Sequence, residues 1–175
     1  MGRAGESGAL GHAIGLTSEN GGAAQPKRRL FGRRKRKHVR VTRHLSAATV
    51  RAMRERVLFR HKVVRYAKHF LGVRYVYGGS SPRSGFDCSG FVRYVYQHFG
   101  ISLPHSSWGD MVRGKRVARN NLLPGDILFF DGGGHVGIYV GNGRFIHAPH
   151  TGTVVRIQTL AGWYSGLYDG ARRMR

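Results

Sequence analysis

The chain has 175 residues, enough for one domain with a sizeable core and some length left over. Thirty Lys and Arg against eight Asp and Glu leave +22 at pH 7, a balance suited to a polyanion: nucleic acid, an anionic membrane surface or an acidic wall polymer. One cysteine excludes an intrachain disulfide framework and a multi-cysteine metal site, and no apolar run approaches the roughly 18 to 20 residues of a membrane span.

Residues 1–26 are rich in Gly, Ala and small polar residues without sustained periodicity and read as disordered. The opening MGRAGESGALGHAIGLTSENGG has only a glycine-broken apolar stretch, short of the roughly 7 to 15 uninterrupted residues of a secretory signal. In KRRLFGRRKRKHVRVTR, residues 27–43, ten of seventeen positions are Lys or Arg and none is acidic. Charge of one sign at this density keeps a segment open, so residues 1–45 are read as a basic N-terminal tail ahead of a domain at 46–175. The tail is either simply solvated or an electrostatic tether to a polyanion.

Ser46 is a plausible N-cap, and Val50, Met53, Val57, Leu58, Val64, Ala67, Phe70 and Leu71 follow at mainly helical spacing. One helix or two consecutive helices are expected, ending at Gly72. VRYVYGGSSPRSG then gives a short extended piece and a glycine, serine and proline loop that leads to Cys88. Cys88, Phe91, Val92, Val95 and Phe99 share one helical face, with Asp87 as the N-cap and Gly100 as the C′ residue. A thiol in the first turn of a helix feels the positive end of the dipole and unpaired amides, which favours the thiolate; Asp87 opposes this.

The second half is strand-like. GDILFFD (125–131), HVGIYVG (135–141), RFIHAP (144–149) and TVVRI (153–157) are short, rich in β-branched and aromatic residues, and separated by Gly, Asn and Pro. They predict an antiparallel meander, and helices followed by strands predict an α+β domain. The glycines at 132–134 form too short and simple a loop for a phosphate cradle. Of ten histidines, His12, His38, His44, His61 and His69 lie in basic or helical surroundings and read as surface residues. His135 and His147 stand on adjoining strands downstream of the single cysteine, which makes them candidates for its partners.

From about residue 57 to the end, the chain resembles the NlpC-type cell-wall cysteine peptidases. LGVRYVYGGSSPRSGFDCSGFVRYVY, GISLPHSS, LLPGDILFFDGGGHVGIYVGNGRFIHAP and VVRI occur in the family's order, and that order is more specific than any single motif. The resemblance implies a papain-like fold, with N-terminal helices and the nucleophile at a helix N-terminus packed on an antiparallel sheet of about five strands. It also implies Cys88 as nucleophile, His135 as base and His147 as the group that orients His135. Tyr75 matches a tyrosine near the nucleophile that assists oxyanion binding, and Asp87, Ser89 and Ser107 match positions lining the substrate pocket. His105 stands where the family more often has Arg.

These residue types suit amide hydrolysis. An imidazole that takes the thiol proton makes a nucleophile stronger than water, and the third group fixes the ring and tautomer of the base. No cofactor or metal is required. Side-chain alternation tests the assignment: with a regular two-residue turn at Asn142 and Gly143, Gly141 would face Arg144 and the two histidines would fall on opposite faces. An odd-length loop over Gly141-Asn142-Gly143, or a bulge, restores them to one face and is expected here.

The family implies peptidoglycan stem peptides as substrate, typically cut at the bond from D-γ-glutamate to a diamino acid, and an extracellular or wall-associated place of action. A cytoplasmic or phage-associated role stays open, because no clear signal precedes the domain. Residues 27–43 would hold anionic wall polymer or lipid, with nucleic acid ranked below these, and a monomer is expected. Two alternatives stand beside the peptidase: a related acyltransferase on the same scaffold, and a basic binding protein for wall polymer or nucleic acid.

Overall fold

Ser46 starts the first helix as its sequence context predicts: its hydroxyl accepts from the Thr49 amide at 3.2 Å, opening α1 at Ala47–Lys68. The computed structural model describes residues 45–105 and 113–175; the expected tail and Ser107 lie outside the described residues. Helix α1 is one continuous helix that buries only Val63, Val64 and Ala67, so it packs through its C-terminal part. Turns follow, with Gly72 at φ +85°, where a residue without a Cβ is favoured.

The glycine and serine loop forms a small hairpin, β1 (Ser80–Ser81) with β2 (Gly85–Phe86). It delivers the chain to α2, Cys88–Gln97. Asp87 caps α2, its carboxylate accepting from the Gly90 amide at 2.6 Å. At the far end the Ile101 amide reaches Tyr96 O and the Gly100 amide reaches Gln97 O, with Gly100 at φ +74°. This pair of bonds closes the helix as a Schellman motif in which Gly100 is the left-handed residue. Phe91, Val92 and Val95 are fully buried at the expected spacing, and the buried Tyr96 hydroxyl donates to the Gly125 carbonyl.

Six antiparallel strands make the main sheet, in the order β3-β8-β4-β5-β6-β7. They are β3 (Lys115–Val117), β4 (Ile127–Phe130), β5 (His135–Gly141), β6 (Arg144–His147), β7 (Arg156–Thr159) and β8 (Tyr168–Arg173). The expected meander is present as β4 to β7, but the sheet is wider than the five strands anticipated. Strand β8 returns to pair with β4 and carries β3 on its outer edge. YDGARR has no apolar alternation to announce a strand; only Ala171 is buried there. Its place is secured instead by Arg173, whose Nε and Nη2 donate to the two oxygens of the fully buried Asp126 at 2.7 Å each.

The strand anticipated at 153–157 is shifted to Arg156–Thr159. Residues before it pair elsewhere: the Tyr75 amide donates to Thr153 O and the Val155 amide to Val73 O, each at 2.8 Å. That connection ties the segment after α1 to the end of the meander.

Strand β4 is buried along its whole length because the sheet is covered on both sides. One face, with Ile127, Phe129, Val136, Ile138 and Ile146, packs on α1 and α2. The other, with Leu128, Phe130, Phe145 and Ala171, packs under Leu160 and Tyr164, the latter on the short helix α3 (Trp163–Gly166). The domain is therefore α+β, as the order of elements implied.

Helix α2 sits close against the hairpin loop because Gly90 has no side chain; a Cβ there would overlap the Gly79 carbonyl. In a solvated helix Ala would be favoured over Gly by about 1 kcal/mol, but here a backbone group stands in the way. Gly90→Ala is expected to lower stability in urea by about 1–3 kcal/mol, the usual cost of overpacking. A neutral or stabilising result would show that the loop yields.

Candidate active site

Cys88 is the first residue of α2, half-buried, and packed at the margin of the helix-side core. The backbone amides of Ser89, of Val136 on β5 and of Cys88 itself lie near its sulfur. Those contacts favour the thiolate, but burial and then the neighbouring Asp87 charge outweigh them, and the thiol is pushed up from its usual value. The helix-start position thus does not make this cysteine more acidic than a free one, contrary to the expectation from dipole position alone. Desolvation of the sulfur decides the sign.

Asp87 organises the floor beside it. Its carboxylate accepts from the Gly90 amide at 2.6 Å and from the Ser89 hydroxyl at 3.1 Å, and it lies 3.3 Å from His105 Nε2. Tyr75, Tyr77, Gly78, Asp87, Cys88, Ser89, His105 and Gly134 line a cleft of about 400 Å³. Burial first, then Cys88, raises the Tyr75 phenol, which stays protonated and can donate at neutral pH. The predicted Tyr75, Asp87, Cys88 and Ser89 are therefore together in one cleft, with His105 among them.

The histidines are brought together by a bulge. Gly141 does face Arg144 across a two-residue loop, with Asn142 at φ 52° and Gly143 at φ 65°, the left-handed pair of a type I′ turn. The loop is thus even-length; the compensation lies one residue earlier. Tyr139 pairs with Phe145 and Gly141 with Arg144, which leaves Val140 as an extra residue on β5 and reverses the parity. His135 and His147 consequently share a face, and His135 Nε2 lies 2.8 Å from His147 Nδ1.

Gly137 makes room for this contact. A Cβ on it would stand 2.8 Å from the Phe145 ring and 3.1 Å from His147 Cβ, in the space the second imidazole crosses. Phe145 and Tyr164 pack on His147, with ring centroids at 4.6 and 5.4 Å. Burial pushes His135 down to about 4, with Asp131 opposing and His150 adding to the shift. His147, fully buried, is pushed down to about 2, first by burial and then by the neighbouring His135. Both rings are neutral at pH 7.

The face shared by the histidines is the one opposite α2. On the α2 side, Cys88 meets the start of β5 near the backbone amide of Val136, the residue after His135. Among the described residues no hydrogen bond joins the sulfur to the His135 ring. Since Nε2 is engaged by His147, the ring nitrogen left to His135 for other contacts is Nδ1. No group of three or more His, Cys, Asp or Glu among the described residues could hold a metal ion.

A helix N-terminal cysteine set against an antiparallel sheet that carries a paired histidine defines a papain-like cysteine-peptidase domain. A family model described as the NlpC/P60 family matches residues 72–172, and the chain belongs to that family. It is 42% identical over 117 residues to a gamma-DL-glutamyl hydrolase of Bacillus subtilis, covering 63% of this chain and 28% of the relative. It is 41% identical over 107 residues to the murein DD-endopeptidase MepS/murein LD-carboxypeptidase of Escherichia coli, covering 59% of this chain and 56% of the relative. The chain thus spans between about a quarter and just over half of these relatives' lengths. Among solved structures, the NlpC/P60 domain of the peptidoglycan hydrolase SagA matches with a TM-score of 0.60 and 36% identity, over 66% of this chain and 98% of that one. An NlpC/P60 family protein from Bacillus cereus matches with a TM-score of 0.62 and 37% identity, over 66% and 40%.

Three residues of this region escaped sequence reasoning: Gly137, Asp131 and Tyr164. Gly137 carried a signal, since a glycine inside an otherwise β-branched strand marks a close approach. Tyr164 sits on a four-residue helix with no periodicity to reveal which face it presents.

The depressed histidines make stability depend on pH. In the unfolded chain each binds a proton below about 6.5, whereas folded His135 binds one only near 4 and His147 lower still. Between these limits the unfolded state holds more protons, so stability falls as pH falls. Urea unfolding is expected to show a steady loss from pH 6.5 to 4, and His147→Gln should reduce that slope. An unchanged slope in the variant would mean that His147 titrates normally.

Proposed function

We propose that residues 46–175 form a cysteine peptidase that hydrolyses peptidoglycan stem peptides at D-γ-glutamyl–diamino acid bonds, with Cys88 as nucleophile, His135 as base and His147 as orienter. The observation that carries this reading is the 2.8 Å contact of His135 Nε2 with His147 Nδ1, at the strand end whose next amide lies near the Cys88 sulfur. The names of the relatives, a glutamyl hydrolase and a murein endopeptidase, support the class of bond.

At rest the thiol and both imidazoles are uncharged, because burial raises the first and lowers the others. The proton therefore moves with the attack rather than before it. His135 Nδ1 takes the Cys88 proton as the sulfur bonds to the carbonyl carbon and the C=O electron pair moves to oxygen. The Cys88 amide and the Tyr75 hydroxyl, both in the cysteine cleft, are assigned as donors to that oxyanion. Collapse breaks the C–N bond, the imidazolium of His135 gives its proton to the leaving amine, and a thioester remains. Water, deprotonated by His135, then releases the acid and the thiol.

This use of His135 requires its Nε2–H to donate to His147 Nδ1, which leaves the proton of neutral His147 on Nε2. That nitrogen is buried and has no hydrogen-bond partner among the described residues. The Phe145 and Tyr164 rings pack on the imidazole, and the nearby Arg156 disfavours a further proton there, which keeps His147 neutral. Asp87, Ser89 and Tyr75 are assigned contacts to the acyl side of the substrate, and Ser107 keeps that role on family resemblance alone. The place of action follows from the substrate, at the cell wall; among the described residues no helix is long and apolar enough to cross a membrane. The ten Lys and Arg of residues 27–43 are assigned contact with anionic wall polymer or lipid.

Mass spectrometry of defined muropeptides is the direct test. The wild-type protein is expected to release the γ-D-glutamyl acid, and Cys88→Ala to lose at least about a thousandfold in rate. Equal cleavage by both proteins, or none by either, would reject the assignment. Because His135 must be neutral to act and is held near 4, kcat/KM should persist through mildly acidic pH and fall only as pH approaches that value. For the tail, removal of residues 1–45 is expected to abolish the salt-sensitive part of binding to isolated sacculi; unchanged binding at low salt would remove that role.

A further inference from the structure

A second cavity, of about 330 Å³, lies on the other side of the 131–134 loop from the cysteine cleft. Gly134 lines both spaces, and His135 lines the second. Its remaining walls include Asp131, His150, Trp163 and Tyr164. Trp163 is 73% exposed, so its indole is not part of either core.

The acids of the described chain single out Asp131. Glu55 pairs with Arg51, Asp126 with Arg173, Asp87 caps α2, and Asp169 accepts from the Gly133 amide at 2.9 Å. The Asp131 carboxylate alone has no hydrogen-bond or ion-pair partner among them. Its backbone is committed: φ is 56°, the amide donates to Leu167 O, and the carbonyl accepts from the Gly134 amide. The left-handed conformation is one that Asp and Asn tolerate, and it sets this carboxylate at the cavity mouth beside the candidate base. His150 adds an acceptor, since its Nδ1 lies 2.9 Å from Thr151 O and the neutral ring then carries its lone pair on Nε2. A carboxylate, an imidazole lone pair and an exposed indole face together suit a cation.

Chemistry fixes which half of a substrate enters here. The acyl half must stay at Cys88, and the proton for the departing amine comes from His135, so the leaving fragment projects past His135 into this cavity. We propose that the cavity holds the leaving fragment and that Asp131 selects fragments carrying a second, protonated amino group. This rests on the hydrolase reading for the identity of the fragment, but the cation site itself does not depend on turnover.

Binding is measured on full-length Cys88→Ala protein with L-lysine amide and with its Nε-acetyl derivative, by nuclear magnetic resonance titration. Asp131 is exposed, so the free amine is expected to bind only about threefold to fivefold more tightly. Adding Asp131→Asn should remove that preference while leaving the acetylated probe unchanged, and Asn keeps the backbone conformation available. In cleavage assays, Asp131→Asn in otherwise wild-type protein should lower kcat/KM for a γ-D-glutamyl-lysine substrate relative to its acetylated counterpart by the same factor. Any effect of Asp131 on the proton affinity of His135 acts on both substrates alike and cancels in the ratio. Equal binding of the two probes, or a preference that survives Asp131→Asn, overturns the proposal. A preference dependent on Asp131 in a protein that cleaves nothing would keep the cation site and reject the hydrolase reading instead.

Discussion

Side-chain parity along β5 and β6 is the constraint on which the histidine pair depends. A strand side chain has two faces to choose from, and one inserted residue reverses every choice beyond it. Val140 is that residue. Without it the tight loop at Asn142 and Gly143 would put His147 on the helix-side core, beside Val136 and Ile138, and would turn Ile146 out of it. With it, His147 crosses the space left by Gly137 and meets His135. An unpaired imidazole in either apolar layer would be costly; paired at 2.8 Å each ring satisfies one nitrogen of the other.

The cysteine reaches the same strand from the opposite layer. Helix α2 is fixed in register by Asp87, which closes its first turn, and by Gly90, which lets the hairpin backbone lie against it. At the beginning of β5 the amide of Val136 lies near the sulfur and brings the helix start to the strand carrying His135. The two halves of the site are consequently built on different cores and joined at the sheet end. Such a junction keeps the thiol and the imidazoles uncharged, since both sides are substantially desolvated. With these shifts the cysteine and the histidine pair hold no ion pair at rest.

Much of this was legible in the sequence, for identifiable reasons. Ser46, Asp87 and Gly100 carry local capping chemistry, and each does in the structure what a cap does. The β-branched runs of β4 to β6 marked strands because both of their faces or one of them are buried. Strand β8 was not legible, since Tyr168–Arg173 is held by the long-range Asp126–Arg173 pair and not by its own pattern. The thiol shift was missed for a similar reason: a helix start is visible in sequence, but the burial that outweighs it depends on what packs there. Even the bulge could be anticipated only as a necessity of the histidine pairing; its position at Val140 instead of in the loop is a property of the fold.

The charge distribution supplies the last step. In a chain with thirty Lys and Arg, acids are scarce, and among the described ones all but Asp131 have a visible partner. Buried Asp126 pairs with the partly exposed Arg173 and staples β8, Asp87 closes the first turn of α2, and Asp169 pins the 131–134 loop through Gly133. A strongly cationic surface attracts anionic polymers without discrimination, and it repels the protonated amines that such polymers can also carry. A carboxylate without an ion-pair partner among the described residues, at one wall of the second cavity, would offset that repulsion locally. Asp131, in the loop that Asp169 holds in place, sits where such a local reversal of sign would act on an arriving cation as well as on His135, whose shift it opposes.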